Sequence, residues 1–271
     1  MASLKEIRVY PVKSLPGISL SAHFVHETGL LWDRQWMLVD LNGHFITQRQ
    51  EPRLNTIRVS QSPNGVVFQT SDRVIEDLFL PFQLVQSGKH IPVQVWNSGF
   101  SANRSYPEAS DWFSRFLNKE LELVEDKPGA RMKKNNYWPR AFHLNFSDAY
   151  PIHLINLASV RDLSKRIGTF IHPDQFRANL VLDELESYEE DRICFIRLGD
   201  LELVSVKKCE RCIMTGLSPG QSEIGKEPLK TLSGYRRQGN SVNFGIYLIP
   251  KEINQPEGTK ISISDKLGCY F

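Results

Sequence analysis

Apolar and polar positions alternate in short bursts along the first hundred residues. Leu4–Tyr10, Ile18–Phe24, Trp36–Asp40, Thr56–Ser60, Val66–Thr70 and Ile91–Trp96 each carry β-branched or aromatic side chains at near-twofold spacing, with Gly, Pro or Asn at the ends. A period of two sends successive side chains to opposite faces, so these segments predict strands. The period becomes helical in three places. Within Asp111–Asn118, Trp112, Phe113, Phe116 and Leu117 share one face and Ser110 stands where a cap belongs. Leu157–Ile167 and Lys226–Arg236 predict two further helices, the second tolerating Pro228 because it falls in the first turn. Strand chemistry returns at Ile152–Ile155, Asn179–Leu182, Cys194–Leu198, Leu201–Val206, Phe244–Ile249 and Lys260–Ser264. Many short strands and few crossover-length helices predict a mainly β chain with a few helices (α+β), of β-barrel rather than doubly wound design.

Between the two halves, Asp126–Asp148 breaks the pattern. It holds Pro128, Gly129, Arg131, Lys133, Lys134 and Pro139 without a sustained apolar period. So long a loop inside a compact domain is uncommon unless it covers a site; the stretch reads either as a basic lid near a domain junction or as a solvated linker. The corresponding division is 1–120 and 121–271.

Composition narrows the classes. At 271 residues and 41% hydrophobic, the chain can bury a substantial core, enough for two modest domains. A net charge of +2 is too small to imply nucleic-acid binding by itself. No run reaches the ~18 apolar residues that a membrane helix needs. The N-terminal MASLKEIRVY has no apolar secretory core, and the four cysteines, Cys194, Cys209, Cys212 and Cys269, form no regular framework, so the expectation is a reduced, cytoplasmic protein.

Two of those cysteines carry the candidate chemistry. Cys209 and Cys212 stand among Lys207, Lys208, Glu210 and Arg211 at the end of an apolar strand pattern. Half a zinc site is disfavoured, because no second Cys-x-x-Cys or His pair follows. A redox dithiol would put its first cysteine at a helix N-terminus, whereas this pair follows a strand and runs into Gly216, Pro219 and Gly220. A single thiolate holding a soft metal is the third reading, favoured by the neighbouring cations. The fourth is two small buried apolar groups.

Seven stretches in order resemble one family: Ile7–Ser14, Trp32–Trp36, Ile46–Leu54, Phe176–Val181, Cys209–Ile213, Lys226–Leu232 and Phe244–Gly245. They are similar to the MOSC-domain proteins, in the branch with an N-terminal β-barrel domain that includes the bacterial YcbX proteins and the mitochondrial amidoxime-reducing component. The resemblance implies an N-terminal β-barrel-like domain and a MOSC β-barrel domain clasping a molybdenum–molybdopterin cofactor, with Cys212 as catalytic metal ligand. By the same resemblance Lys13, Ser14, Arg34, Ser147, Asp148, Arg177, Asn179 and Tyr247 are cofactor-binding, although Asp148 also suits the cap of the following turn. Cations and hydroxyls suit a phosphate, and Arg reaches two oxygens at once. Cys209 is assigned to support or packing, and Cys194 and Cys269 to structure, Cys194 within an apolar strand.

The chain departs from the pattern in two places. Ala178 replaces a common Pro, at little cost to a strand. Glu210 sets a negative charge beside an anionic centre, which disfavours binding unless it turns outward or pairs with Arg211. The activity implied is a molybdenum-dependent oxidoreductase that reduces N-hydroxylated compounds such as amidoximes, hydroxylamines or N-hydroxylated bases. YcbX-type relatives often carry a C-terminal ferredoxin domain that this sequence lacks, so electrons are expected from a separate ferredoxin, flavoprotein or cytochrome b5 type donor. The alternative is a non-enzymatic cofactor carrier or sulfur-transfer protein.

Overall fold

The computed structural model describes residues 2–71, 75–85, 88–135, 138–253 and 255–271. Strands dominate, as the twofold patterning predicts. The principal sheet runs in the order Ile18–Leu20, Ser3–Val9, Leu180–Asp183, Ile152–Asn156, Ser241–Pro250, Leu201–Glu210, Phe195–Leu198, Leu267–Tyr270, with Arg237–Gln238 branching from Ser241–Pro250. Its hydrogen-bonded path is open at both ends. Only Ile152–Asn156 and Leu180–Asp183 run parallel in it, and that crossover needs a helix, supplied by Leu157–Ile167. A second sheet orders Trp36–Val39, Glu122–Glu125, Ser98–Arg104 and His90–Val95. The halves of the chain are laced together: Ser3–Val9 pairs with Leu180–Asp183, and Thr259–Ser262 pairs with Ala22–His26.

The helix Leu157–Ile167 has the predicted bounds, because Asn156 accepts the Ala158 N–H at one end and Gly168 adopts the left-handed conformation at the other. The first helix spans Pro107–Leu117, not Asp111–Asn118. Pro107 fixes the helical φ at its start, so Ser110 lies inside the helix, where its hydroxyl bonds the Tyr106 carbonyl and accepts the Leu123 N–H instead of capping. The predicted apolar face is buried, with Trp112, Phe113, Phe116 and Leu117 all in the core. The third helix is shorter than expected, Leu229–Tyr235, with Pro228 just outside it.

The stretch 126–148 contains regular structure, against expectation. Met132–Asn135 and Trp138–His143 pair antiparallel; residues 136 and 137 lie outside the described residues. Phe142 is buried against Tyr150, and a two-stranded ribbon leaves Pro139 free of a required donor, which is how a strand escaped the sequence pattern. Arg131 donates to the Asn145 and Ser147 carbonyls and Lys133 to that of Ala149, so the ribbon buttresses 145–149 from behind. Among the described residues no helix is long and apolar enough to cross a membrane. All four cysteines are free, and Cys194 is exposed and precedes the strand Phe195–Leu198 instead of lying within it.

Candidate functional site: a cationic cleft around Cys212

The strands converge on a cleft with an empty volume of about 900 Å³, solvent mouth included. All nine sequence-predicted residues line it: Lys13, Ser14, Arg34, Ser147, Asp148, Arg177, Asn179, Cys212 and Tyr247. They arrive from positions scattered over most of the chain, and the backbone is bent to deliver several. Ser14 (φ 66°), Arg34 (φ 49°) and Arg177 (φ 53°) all sit in the left-handed region that non-glycine residues avoid. Such strain collects where surrounding structure imposes it for a purpose.

Arg34 stacks on Tyr10 at 4.2 Å, bonds Asp33 at 2.5 Å and donates to the Arg177 carbonyl at 3.0 Å. Asp33, buried, also accepts the Tyr10 N–H. Arg177 ends the turn Pro173–Phe176 and lays its guanidinium over the same Tyr10 ring at 4.5 Å. Phe176 stacks on Phe244 at 4.1 Å. The next residue, Gly245 (φ 76°), has no room for a side chain: a Cβ would meet the Leu154 carbonyl oxygen at 2.5 Å and His153 Nε2 at 2.6 Å. That close approach accounts for the Phe244-Gly245 motif.

Lys13 is buried, and its Nζ reaches the Phe146 carbonyl at 2.8 Å and Asp148 at 2.5 Å. Burial pulls its pKa down, opposed by Asp148. For Asp148, whose side chain is 58% exposed, desolvation is outweighed by the Lys13 charge and by hydrogen bonds from Lys13 and Trp96, which hold the carboxyl well below its usual range. Burial lowers Arg177 to about 10, with Arg34 adding repulsion, so Arg177 stays charged at neutral pH. Tyr247 packs at 5.2 Å from Tyr150 and 5.6 Å from His153, and burial, with Cys209 beside it, raises its phenol well above the ordinary value.

The two cysteines differ sharply. Cys209 is buried and its sulfur accepts a hydrogen bond from Arg211 at 2.8 Å. Cys212 is exposed at the cleft, and its sulfur accepts from Arg49 at 3.0 Å. Lys207 and Lys208, expected to favour thiolate at this site, are aimed elsewhere. They pair with Glu210 and Asp191, because two register shifts in Leu201–Glu210 break simple alternation. Glu210 lines the cleft but pairs with Lys207 rather than with Arg211, which offsets the repulsion anticipated for it.

Asn179 has a structural task as well as a place at the cleft. Its amide accepts the His153 N–H and donates to the Arg8 carbonyl, so it fastens neighbouring strands and offers the cleft only what capacity remains. Arg49 and His153 at the cleft, and Trp96 beside it, are among the residues that carried no site prediction. Arg49 lies within the Ile46–Leu54 motif, but nothing in its spacing points at sulfur. Trp96 stacks under Arg49 at 4.7 Å and donates to Asp148 at 3.1 Å. His153 is buried beside Arg211 and Arg34, and burial first, then those cations, push its pKa well below normal, leaving it neutral at pH 7.

These features suit a polyanionic group with a soft centre. Among the described residues no carboxylate forms an ion pair with Arg49, Arg177 or Arg211, and the buried Arg211 Nε has no partner. No cluster of three or more His, Cys, Asp or Glu could cage a metal among those residues.

Comparison with known proteins agrees. The family model described as the MOSC N-terminal beta barrel domain matches residues 1–120, and the MOSC domain model matches residues 141–267. Mitochondrial amidoxime reducing component 2 of Rattus norvegicus is 31% identical over 93% of this chain and 80% of its own length. Mitochondrial amidoxime-reducing component 1 of Homo sapiens is 28% identical over 92% of this chain and 79% of its own. The molybdenum cofactor sulfurase of Solanum lycopersicum is 30% identical over 90% of this chain, which spans 33% of that protein. The chain therefore belongs to the MOSC-domain family, in the branch that carries an N-terminal MOSC beta barrel domain.

Proposed function

We propose that this protein is a molybdenum-cofactor-dependent oxidoreductase that reduces N-hydroxylated compounds, amidoximes and hydroxylamines among them, with electrons from a separate redox protein. The observation that carries the reading is the exposed Cys212 sulfur at a cleft holding three guanidinium groups without carboxylate partners. Cys212 would ligate the molybdenum. Lys13, Arg34 and Arg177 would hold the anionic part of the pterin, with Ser14 and Ser147 adding hydroxyl contacts. When bound, the cofactor supplies the two-electron chemistry that removes oxygen from nitrogen.

The chain's own contributions are orientation and electrostatics. Arg49 donates to the ligating sulfur and Arg211 to the sulfur behind it. Tyr10 is the shared platform that fixes the spacing of Arg34 and Arg177. The amide of Asn179 keeps His153 and Arg8 in register beneath them. His153, neutral and buried, adds no further charge to a wall already rich in cations.

The named activity of the amidoxime-reducing relatives supports this reading. The likeness to a molybdenum cofactor sulfurase supports a second one, in which the protein carries the cofactor or transfers sulfur to it. Protein purified from a host that makes molybdopterin should contain stoichiometric pterin and molybdenum and should reduce benzamidoxime with an artificial electron donor. Full molybdenum occupancy without turnover of any N-hydroxylated compound would refute the reductase and leave the carrier.

A further inference from the structure

Trp96 occupies a position that a tryptophan should not. It is the first of the two residues that turn the hairpin from His90–Val95 into Ser98–Arg104, and its φ is +54°. Two-residue hairpin turns call for Asn or Gly there, and a bulky side chain at positive φ is a true outlier. The turn is nevertheless held firmly. Gln94 donates to the Trp96 carbonyl at 2.8 Å, Phe45 meets the indole edge-on at 5.0 Å, and the indole N–H bonds Asp148. A large aromatic ring is thus driven to the cleft mouth, 44% exposed, with Arg49 stacked on it and Arg49 in turn on the Cys212 sulfur.

The geometry of the turn does not itself call for this residue. Asn at position 96 would relax the backbone, and burying the ring elsewhere would gain more than leaving it half in water. Strain retained beside reactive atoms points to a role at those atoms.

Building on the reductase reading, we infer that Trp96 determines substrate specificity: its indole is the stacking platform for the planar, conjugated portion of an amidoxime or hydroxylamine whose N–O group is presented at Cys212. Arg49 shares the ring from the sulfur side and limits how deeply the substrate slides. The preferred substrates are therefore uncharged N-hydroxylated compounds bearing an aromatic or heteroaromatic group. An amidine product, protonated at neutral pH, meets Arg49, Arg177 and Arg211 and is driven out.

The test uses cofactor-loaded protein without an electron donor, so that binding is read in the absence of turnover. Equilibrium affinities for benzamidoxime and for acetamidoxime, which has the same head group and no ring, are compared after normalising to pterin content. The parent should prefer benzamidoxime; Trp96→Asn should reduce that preference about tenfold, and Trp96→Phe, which keeps a ring but loses the N–H bonded to Asp148, should restore most of it. An unchanged preference in Trp96→Asn, or a Trp96→Phe variant that loses the preference equally, would overturn the inference. Failure of the reductase reading would appear separately, as absence of turnover with either compound once electrons are supplied.

Discussion

Cys209 and Cys212 should respond in opposite ways to the same truncation. Cys212→Ala removes an exposed thiol whose contact, Arg49, keeps its stack on Trp96, so the cost to folding should stay within about 0.5 kcal/mol. Cys209→Ala removes the acceptor for a hydrogen bond from the Arg211 guanidinium, whose Nε already lacks a partner. Burial works against the charge on Arg211, and the neighbouring Cys209, Tyr247 and Cys212 more than offset it, raising its pKa. Losing a hydrogen bond to a buried charged group costs about 1.5–3 kcal/mol. At roughly 2–4 °C per kcal/mol for a chain of this size, the transition should fall by about 3–12 °C. Thermal unfolding of metal-free protein by circular dichroism reads that difference, and Cys209→Ser, which restores an acceptor, should recover part of it. Pterin content after gel filtration should show the reverse order, with Cys212→Ala empty and Cys209→Ala retaining cofactor below its transition. If Cys212→Ala melted lower than Cys209→Ala, or both melted with the parent, the assignment of buried support and exposed ligand would be refuted.

The remaining expectations concern charge. Asp148 has a depressed pKa in the fold, so its ion pair with Lys13 stabilises above the unfolded carboxyl value of about 4 and is lost as pH falls toward the folded one. Asp148→Asn should accordingly be less stable than the parent at pH 7, with the gap narrowing below pH 4 in urea titrations. Glu190 is buried and raised to about 7 by burial, so the fold loses stability through it as pH climbs from its unfolded value to about 7. Glu190→Gln should gain on the parent across that window and hold a constant lead at pH 8; a constant difference from pH 4 to 8 would be the contrary result. Glu210→Ser should leave pterin content within about twofold of the parent, a small-energy change, because the side chain is turned to Lys207.

The element pattern was legible where apolar spacing and end signals agreed, as in Leu157–Ile167 with Asn156 and Gly168 at its ends. It failed where local chemistry masked pairing: Met132–Asn135 and Trp138–His143 are rich in charge and contain Pro139, yet Phe142 supplies enough burial to seat the ribbon. The residues named from the resemblance, from Lys13 to Tyr247, line one cleft only because distant strands pair. Orientation was not legible. The bulges in Leu201–Glu210 send Lys207 and Lys208 to Glu210 and Asp191, and no sequence rule locates a bulge. Trp96 was invisible for the opposite reason: turn preferences exclude it, and a residue that violates a preference leaves no signal in that preference. Arg49 stood in a recognised motif, but the sulfur it serves lies 163 positions away.

The lacing of the two halves has a consequence during synthesis. Ser3–Val9 is made early, yet its partner Leu180–Asp183 emerges some 170 residues later. At ribosomal speeds of about 5–20 residues per second, the nascent first strand waits on the order of 10–30 s with its Leu4, Ile7 and Val9 side chains uncovered. That strand thus leaves the ribosome as a dependent of sequence not yet translated, and holdase chaperones should meet it in that interval.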